Sequence, residues 1–256
     1  MDSEMILETH KLRREFGALI AVANVSIQVK AKSLHSIIGP NGAGKTTFFN
    51  LLSGNLKPTS GKVYFKGRDI TNLPIYKTAH LGIGRSFQIT NIFPNLTVME
   101  NMRLSAQALG KDNFRMFRSH KRYQKYELRA LEVMEQLGLT NRAYSLAGTL
   151  PHGDQRKLEL GMLLTPDPEV LLLDEPTAGM AAEQVPELLE LIQGVQESGS
   201  KTVMLVEHNM NVVMSVSDFI TVMHQGKVLA EGTPAEISAN EDVQSAYLGE
   251  LFTEPG

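Results

Sequence analysis

The run Gly39-Pro40-Asn41-Gly42-Ala43-Gly44-Lys45-Thr46 has the spacing G-x-x-x-x-G-K-[ST] of a phosphate-binding loop. Glycines at these positions let successive backbone N–H groups turn inward on an anion, and a following helix adds the positive end of its dipole. In that chemistry Lys45 reaches the β- and γ-phosphates of a nucleotide, and Thr46 offers its hydroxyl to Mg²⁺. A second constellation, Val170-Leu171-Leu172-Leu173-Asp174-Glu175, delivers two carboxylates at the end of an apolar strand, where open α/β sheets bind their ligands. Asp174 is expected to hold Mg²⁺, directly or through water, and Glu175 to polarise an attacking water. Alone, Asp-Glu-Pro also reads as an acidic cap opening a helix; beside a phosphate loop the chemical reading takes precedence.

These residues need elements to hold them. Leu34-His35-Ser36-Ile37-Ile38 reads as a short buried strand running into the glycine loop, and residues 46–52 have the composition of a helix that Gly54 closes. Residues 5–31 are strand-rich, with alternation through Val25-Ser26-Ile27-Gln28-Val29, and residues 61–67 read as a strand bounded by turns. From about Leu96 to Leu139 the texture turns helical, rich in Arg and Lys, with no convincing strand. After Leu150 the strand–helix alternation returns. The apolar runs at 170–173 and 202–206 suit parallel strands covered on both faces, with helices at about 183–197 and 210–216. Residues 219–223 and 227–231 look like closing strands. The alternation predicts a parallel-sheet core interrupted by a helical insertion.

Bulk properties exclude several function classes. The chain has 256 residues and a formal net charge of −3, without the basic footprint of a nucleic-acid binder. With no cysteine, disulfides, thiolate zinc sites and cysteine nucleophiles are all ruled out. No apolar run approaches the roughly 20 residues needed to span a bilayer, and the start Met-Asp-Ser-Glu-Met lacks the pattern of a signal peptide. The expectation is a soluble, intracellular chain that meets a membrane only through a partner.

On these motifs the chain resembles ABC transporter ATPase subunits over nearly its full length. The resemblance implies an α/β fold: a P-loop NTPase core with a mostly parallel sheet, an N-terminal antiparallel β subdomain and an inserted helical subdomain. It implies one ABC ATPase domain over 1–256, with β subdomain and first part of the core at 5–95, the helical part at 96–150, and the rest of the core and tail at 151–256. It also implies ATP and Mg²⁺ as cofactors, with Gly39, Pro40, Asn41, Gly42, Ala43, Gly44, Lys45, Thr46 and Thr47 around the phosphates. Phe16, in Arg14-Glu15-Phe16-Gly17, matches the aromatic that stacks on adenine. Gln88, in Arg85-Ser86-Phe87-Gln88, matches the glutamine that senses Mg²⁺ and the γ-phosphate. His208 matches the switch histidine that contacts the γ-phosphate and fixes the water. Lys45, Gln88, Glu175 and His208 then form the catalytic set, and Thr46, Gln88 and Asp174 the metal set.

Two segments depart from the family pattern. Leu150-Pro151-His152-Gly153-Asp154-Gln155 aligns with Leu-Ser-Gly-Gly-Gln-Gln, so Pro151 replaces the serine and His152 the first glycine. The helix end that faces the other subunit's γ-phosphate keeps the Gly153 N–H, and Pro is tolerated in a first helical turn. What is lost is one hydroxyl bond to a charged group, about 1.5–3 kcal/mol. In Ala178-Gly179-Met180-Ala181, Ala181 stands where the family usually has an aspartate, which puts coupling between the two ATP sites in doubt.

Residues 90–101, the charged helical stretch 111–129, Val206-Glu207-His208-Asn209-Met210 and the tail 243–250 look like the ATPases of branched-chain (hydrophobic) amino-acid importers. Leu158-Glu159-Leu160-Gly161-Met162-Leu163-Leu164 is also similar to urea and short-amide importers, and lipopolysaccharide-export ATPases share much of the pattern. The resemblance implies permease subunits in the membrane, a second ATPase subunit (self or paralogue), an extracytoplasmic solute-binding protein, and a place at the cytoplasmic face of the membrane. The basic run 115–122 reads as a solvated face, or as contact with a permease or lipid headgroups. A low-turnover regulatory subunit remains an alternative because of Pro151 and Ala181. A P-loop kinase would not need the segment at 150–154 or His208, and a DNA-repair or translation ATPase would usually carry two cassettes or a long coiled coil.

Overall fold

The computed structural model describes residues 4–86, 92–108, 110 and 121–251. Its order is β1 (Met5–Phe16), β2 (Leu19–Val25), β3 (Gln28–Lys30), β4 (Leu34–Ile38), α1 (Lys45–Leu52), β5 (Ser60–Phe65), β6 (Arg68–Asp69), α2 (Ile75–Leu81), β7 (Ile83–Arg85), α3 (Val98–Ala108) and α4 (Lys121–Gln136). There follow α5 (His152–Leu164), β8 (Val170–Asp174), α6 (Val185–Glu197), β9 (Thr202–Val206), α7 (Met210–Val216), β10 (Phe219–His224), β11 (Lys227–Gly232), α8 (Pro234–Ser238) and α9 (Glu241–Leu251).

Two sheets form. The long strand β1 pairs antiparallel with β2 and β3 along one edge and with β5 along the other, and β6 follows β5. The second sheet runs β11-β10-β4-β9-β8-β7, parallel from β10 to β7 with β11 added antiparallel. Every residue of β4, β8 and β9 is buried. Their alternate side chains serve opposite faces, as a pleated strand requires. Leu172, Met204 and Ile37 face Phe48, Phe49, Leu51 and Leu52 of α1 and, beyond them, Leu7, Val22 and Val63 of the antiparallel sheet. Leu171, Leu173, Val203 and Leu205 face the other way, onto Leu158 and Leu164 of α5 and Leu188 and Ile192 of α6. Helix α1 is therefore clamped between two sheets, which fixes the loop that precedes it.

The α/β class and the strands around the apolar runs are as expected. The alternation at 25–29 is not one continuous strand: β2 ends at Val25 and β3 begins at Gln28. The buried Thr9 hydroxyl binds across this break, accepting from the Ile27 N–H (3.0 Å) and donating to the Val25 carbonyl (3.2 Å). Helix α3 opens on a capping box: Glu100 N–H donates to Thr97 Oγ1 (3.1 Å), and Thr97 N–H and Oγ–H return to Glu100 Oε2 (3.0 and 3.1 Å). Next to it Asn101, fully buried, donates to the carbonyls of Phe93 and Thr97 and accepts from the Phe93 N–H at 2.7 Å. The motif around Phe93–Asn101 is thus a self-bonded loop that leaves the Phe93 ring 50% exposed.

Candidate functional site

Register alone assembles the site. Ile37 of β4 lies beside Val206 of β9, and Val206 lies beside Asp174 of β8. Three parallel strands therefore end level, and each hands over to a chemical segment: Gly39–Lys45 after β4, Glu207-His208 after β9, and Glu175 after β8. The loop after β4 is wound by left-handed glycines, with φ of 77° at Gly42 and 96° at Gly44. A Cβ on Gly44 would drive into the Ala21 carbonyl of β2, and one on Gly39 into the Met223 carbonyl of β10. A Cβ on Gly42 would meet nothing within 4 Å, so the loop's concave side is open while its back is pressed on protein. The turn between β10 and β11 supports that back: Gly226 N–H donates to the Ala43 carbonyl (3.0 Å) and Ala23 N–H to the Gly226 carbonyl (2.7 Å). Lys45, buried at the start of α1, folds its ammonium onto the Gly39 and Pro40 carbonyls (2.5 and 3.0 Å). Helix α1 has no side-chain cap on its first N–H groups, so the donors that would meet phosphate are left to the loop.

Asp174 sits beneath this loop, 3% exposed. Its Oδ2 is 3.4 Å from Arg85 Nη2, and its N–H donates to Ser86 Oγ at 3.0 Å. Its Oδ1 is buried with no hydrogen-bond partner among the described residues. Burial pushes the Asp174 carboxyl above its ordinary value, Arg85 opposes the shift, and the neighbouring Glu175 charge adds to it. An anionic oxygen held dry and unbonded fits a hard cation, which takes oxygen ligands. Thr46, the second residue of α1, directly follows the loop. Glu175 follows at φ 50°, a left-handed conformation rare for a residue with a Cβ, and its N–H bonds the Val206 carbonyl at 2.9 Å. The turn beyond it is held from two sides. Arg156 of α5 donates to the Ala178 carbonyl (2.9 Å), and Glu207 accepts from both the N–H and the hydroxyl of Thr177 (3.2 and 2.6 Å).

His208 leaves β9 with its side chain 63% exposed. The next residue, Asn209, caps α7 by accepting from the Asn211 and Val212 N–H groups (3.0 and 3.4 Å). Phe16 lies at the end of β1, 44% exposed, with the Arg14 guanidinium 4.6 Å from its ring centre. The expected place of Pro151 in the first helical turn is shifted by one: it is the cap residue, at φ −55° and ψ 151°, and α5 begins at His152. Pro151 and His152 are exposed and Gly153 is buried against Gln184. Gln88 lies outside the described residues, as do most of the basic run 115–122 and residues 90 and 91. Two residues that hold the site were not foreseen as site residues. Arg85 had only its place before Gln88 to mark it. Glu207 carried a usable signal, an acidic residue ending an apolar strand directly before a candidate histidine.

The arrangement matches a known family. Residues 22–178 match the family model for ABC transporters. This chain is an ABC-family ATPase. It binds nucleotide and hydrolyses ATP as part of a transporter, and among the described residues no helix is long and apolar enough to cross a membrane. Residues 227–253, spanning β11 to beyond α9, match a second model, the branched-chain amino acid ATP-binding cassette transporter. The chain is 40% identical to the high-affinity branched-chain amino acid transport ATP-binding protein LivG of Salmonella typhimurium, over 97% of this ATPase and 99% of the relative. It is 41% identical to the corresponding BraF of Pseudomonas aeruginosa, with the same coverage. The lipopolysaccharide export ATP-binding protein LptB of Haemophilus influenzae is 32% identical over 96% of this ATPase and 98% of its own length. Among solved structures, the ADP conformation of MJ1267, an ATP-binding cassette of an ABC transporter, superposes with a TM-score of 0.83 at 29% identity, covering 96% and 99% of the two chains. A dimeric post-hydrolysis state of the cassette MJ0796, bound to ADP and phosphate, gives 0.75 at 26% identity, covering 90% of this ATPase and 99% of that chain.

Proposed function

We propose that this ATPase powers uptake of branched-chain or other hydrophobic amino acids through separate permease subunits, at the cytoplasmic face of the membrane, with substrate delivered by an extracytoplasmic binding protein. The observation that carries the substrate class is the match of the C-terminal segment 227–253 to the branched-chain transporter model. This favours import of amino acids over lipopolysaccharide export, where the likeness to LptB is lower.

In this reading ATP stacks its base on the free face of Phe16 and lays its phosphates in the loop Gly39–Thr47. Thr46, Asp174 and Gln88 would hold Mg²⁺, which would supply positive charge beside the phosphates. Lys45 exchanges its two carbonyl partners for phosphate oxygens, and the loop N–H groups take the remaining charge. Phosphoryl transfer to water is mainly positioning and charge neutralisation. Glu175, presented on its left-handed turn, orients the attacking water and takes its proton, and His208 secures the γ-phosphate side. The exposed N-terminal end of α5 at Pro151, His152 and Gly153 closes the site of a second cassette, self or paralogue. The convergence of Asp174, Glu175 and His208 at one level of the sheet argues against a low-turnover regulatory subunit, which has no use for all three. Phe93 (50%), Tyr144 (87%) and Leu146 (47%) are exposed on the two segments that the bridge between residues 97 and 146 joins, and in this reading those segments are the face offered to the permease.

The test is uptake of labelled leucine, isoleucine, valine and urea by cells lacking this subunit and by the same cells complemented with wild-type chain or Glu175→Gln. Loss of leucine, isoleucine and valine uptake, restored by wild type alone, supports the reading. Normal uptake of all three in the deletion strain would overturn the substrate class, and loss of urea uptake alone would reassign it.

A further inference from the structure

The carboxylate of Glu207 is fully buried, yet it belongs to neither the metal set nor the catalytic set. Its Oε1 accepts the Thr177 N–H and Oγ–H at 3.2 and 2.6 Å. Its Oε2 accepts the His208 N–H at 3.3 Å and stands 3.8 Å from His208 Nδ1. A buried carboxylate is tolerated only when such donors satisfy it. All three donors come from two segments: the turn that starts at Glu175 and the switch segment at His208. No other side-chain bond described in the structure joins those two segments.

We infer that Glu207 is a positioning residue for ATP hydrolysis, locking the His208 segment to the turn that carries Glu175 so that the two groups meet the same water and γ-phosphate together. The inference rests on the catalytic roles proposed for Glu175 and His208. Two consequences follow from the geometry. The carboxylate oxygen 3.8 Å from Nδ1 sets an acceptor and a charge partner beside the His208 ring. Thr177 is the second consequence. Because its hydroxyl and N–H both end on Oε1, any displacement of the turn after Glu175 is transmitted through one rigid side chain to His208.

The experiment uses full-length ATPase with Glu207→Gln, Thr177→Val and the double variant, read by steady-state kinetics and by ¹⁵N NMR of histidine-labelled protein, with the His208 signals assigned by their loss in His208→Ala. Glu207→Gln is expected to lower kcat at least tenfold with KM for ATP within threefold of wild type. The His208 ring ¹⁵N signals should shift. Thr177→Val should lower kcat less, and the double variant should be no worse than Glu207→Gln alone. Unchanged kcat together with unchanged ring signals would overturn the inference, as would a kcat loss that falls in step with ATP affinity and melting temperature. If Glu207→Gln does not fold, Glu207→Asp retracts the carboxylate while keeping its charge, and wild-type kcat in that variant overturns the proposal. His208→Ala separates the two readings: wild-type turnover there defeats the catalytic role of His208, whereas the ring signature in Glu207→Gln judges the positioning by itself.

Discussion

Arg85 reaches Asp174 inside the core, with Nη2 3.4 Å from Oδ2 and the two side chains 5% and 2% exposed. The same guanidinium donates through Nη1 to Asn50 Oδ1 (2.8 Å) and Ser53 Oγ (2.7 Å) at the end of α1. One cation therefore joins the helix behind the phosphate loop to the carboxylate proposed for the metal. Burial opposes the charge on both partners, lowering Arg85 from its ordinary value and raising Asp174. Removing one partner of such a pair leaves an uncompensated buried charge, at a cost of about 3–5 kcal/mol. Arg85→Met is expected to lose about that much in urea denaturation without nucleotide. Added MgATP should restore more stability to the variant than to wild type, because the metal supplies the missing positive charge to Asp174. Equal losses with and without MgATP would mean that Arg85 matters only for anchoring α1.

Glu175→Gln is expected to bind ATP with affinity within about threefold of wild type and to lower turnover by about 10²–10⁴, the usual contribution of a general base. Turnover within threefold of wild type would remove Glu175 from that role. In light scattering the variant should dimerise with ATP and dissociate when ATP is withdrawn, if the helix end at Pro151–Gly153 still closes on phosphate. A monomer that nonetheless holds ATP would assign the missing half to a paralogue, and would place the defect at Pro151 and Ala181. The φ of 50° at Glu175 predicts a further effect: Glu175→Gly should be more stable than Glu175→Ala, since only glycine adopts that conformation without strain.

Much of this site was legible because the strands that carry it are central. β4, β8 and β9 are covered on both faces, so their sequences are apolar runs, and the phosphate loop and paired carboxylates stand at the ends of those runs. β7 and α2 were not legible. β7 is a three-residue strand, Ile83-Gly84-Arg85, at the open edge of the parallel sheet, and it owes its existence to pairing with β8. Helix α2 is seven residues long, with Pro74 at its cap and no side-chain cap on its first N–H groups. Arg85 and Glu207 escaped for another reason: their partners Asp174 and Thr177 lie 89 and 30 residues away in sequence. Only strand register brings them together.

Arg14 covers one face of the Phe16 ring, its guanidinium 4.6 Å from the ring centre and tied to the Lys57 carbonyl at 2.9 Å, and the proposed function stacks the base on the other face. Stacking of a base on an aromatic ring contributes about 1–3 kcal/mol. Phe16→Ala should therefore weaken ATP binding by about 5- to 160-fold while leaving kcat at saturating ATP within threefold. Phe16→Tyr should retain wild-type affinity. A fall in kcat with unchanged affinity would show that the base lies elsewhere.

His35 provides a pH test far from the chemistry. It is buried in β4, with Nε2 2.8 Å from Thr221 Oγ1, and that hydroxyl donates to Glu231 at 2.8 Å. Desolvation lowers the His35 pKa from 6.5 to about 4. Between those values the unfolded chain takes up a proton that the folded chain refuses. The stabilisation from keeping His35 neutral is thus fully present above about pH 6.5 and is lost progressively down to about pH 4, to a total of about 3 kcal/mol. Glu231 works the other way, since burial raises its pKa and so favours the folded state as pH falls through the carboxylate range. The comparison that isolates His35 is wild type against His35→Asn, unfolded in urea from pH 7.5 to 4.5. The wild-type stability should fall more steeply below pH 6.5 than that of the variant, and parallel curves would show that His35 titrates alike in the folded and unfolded chains.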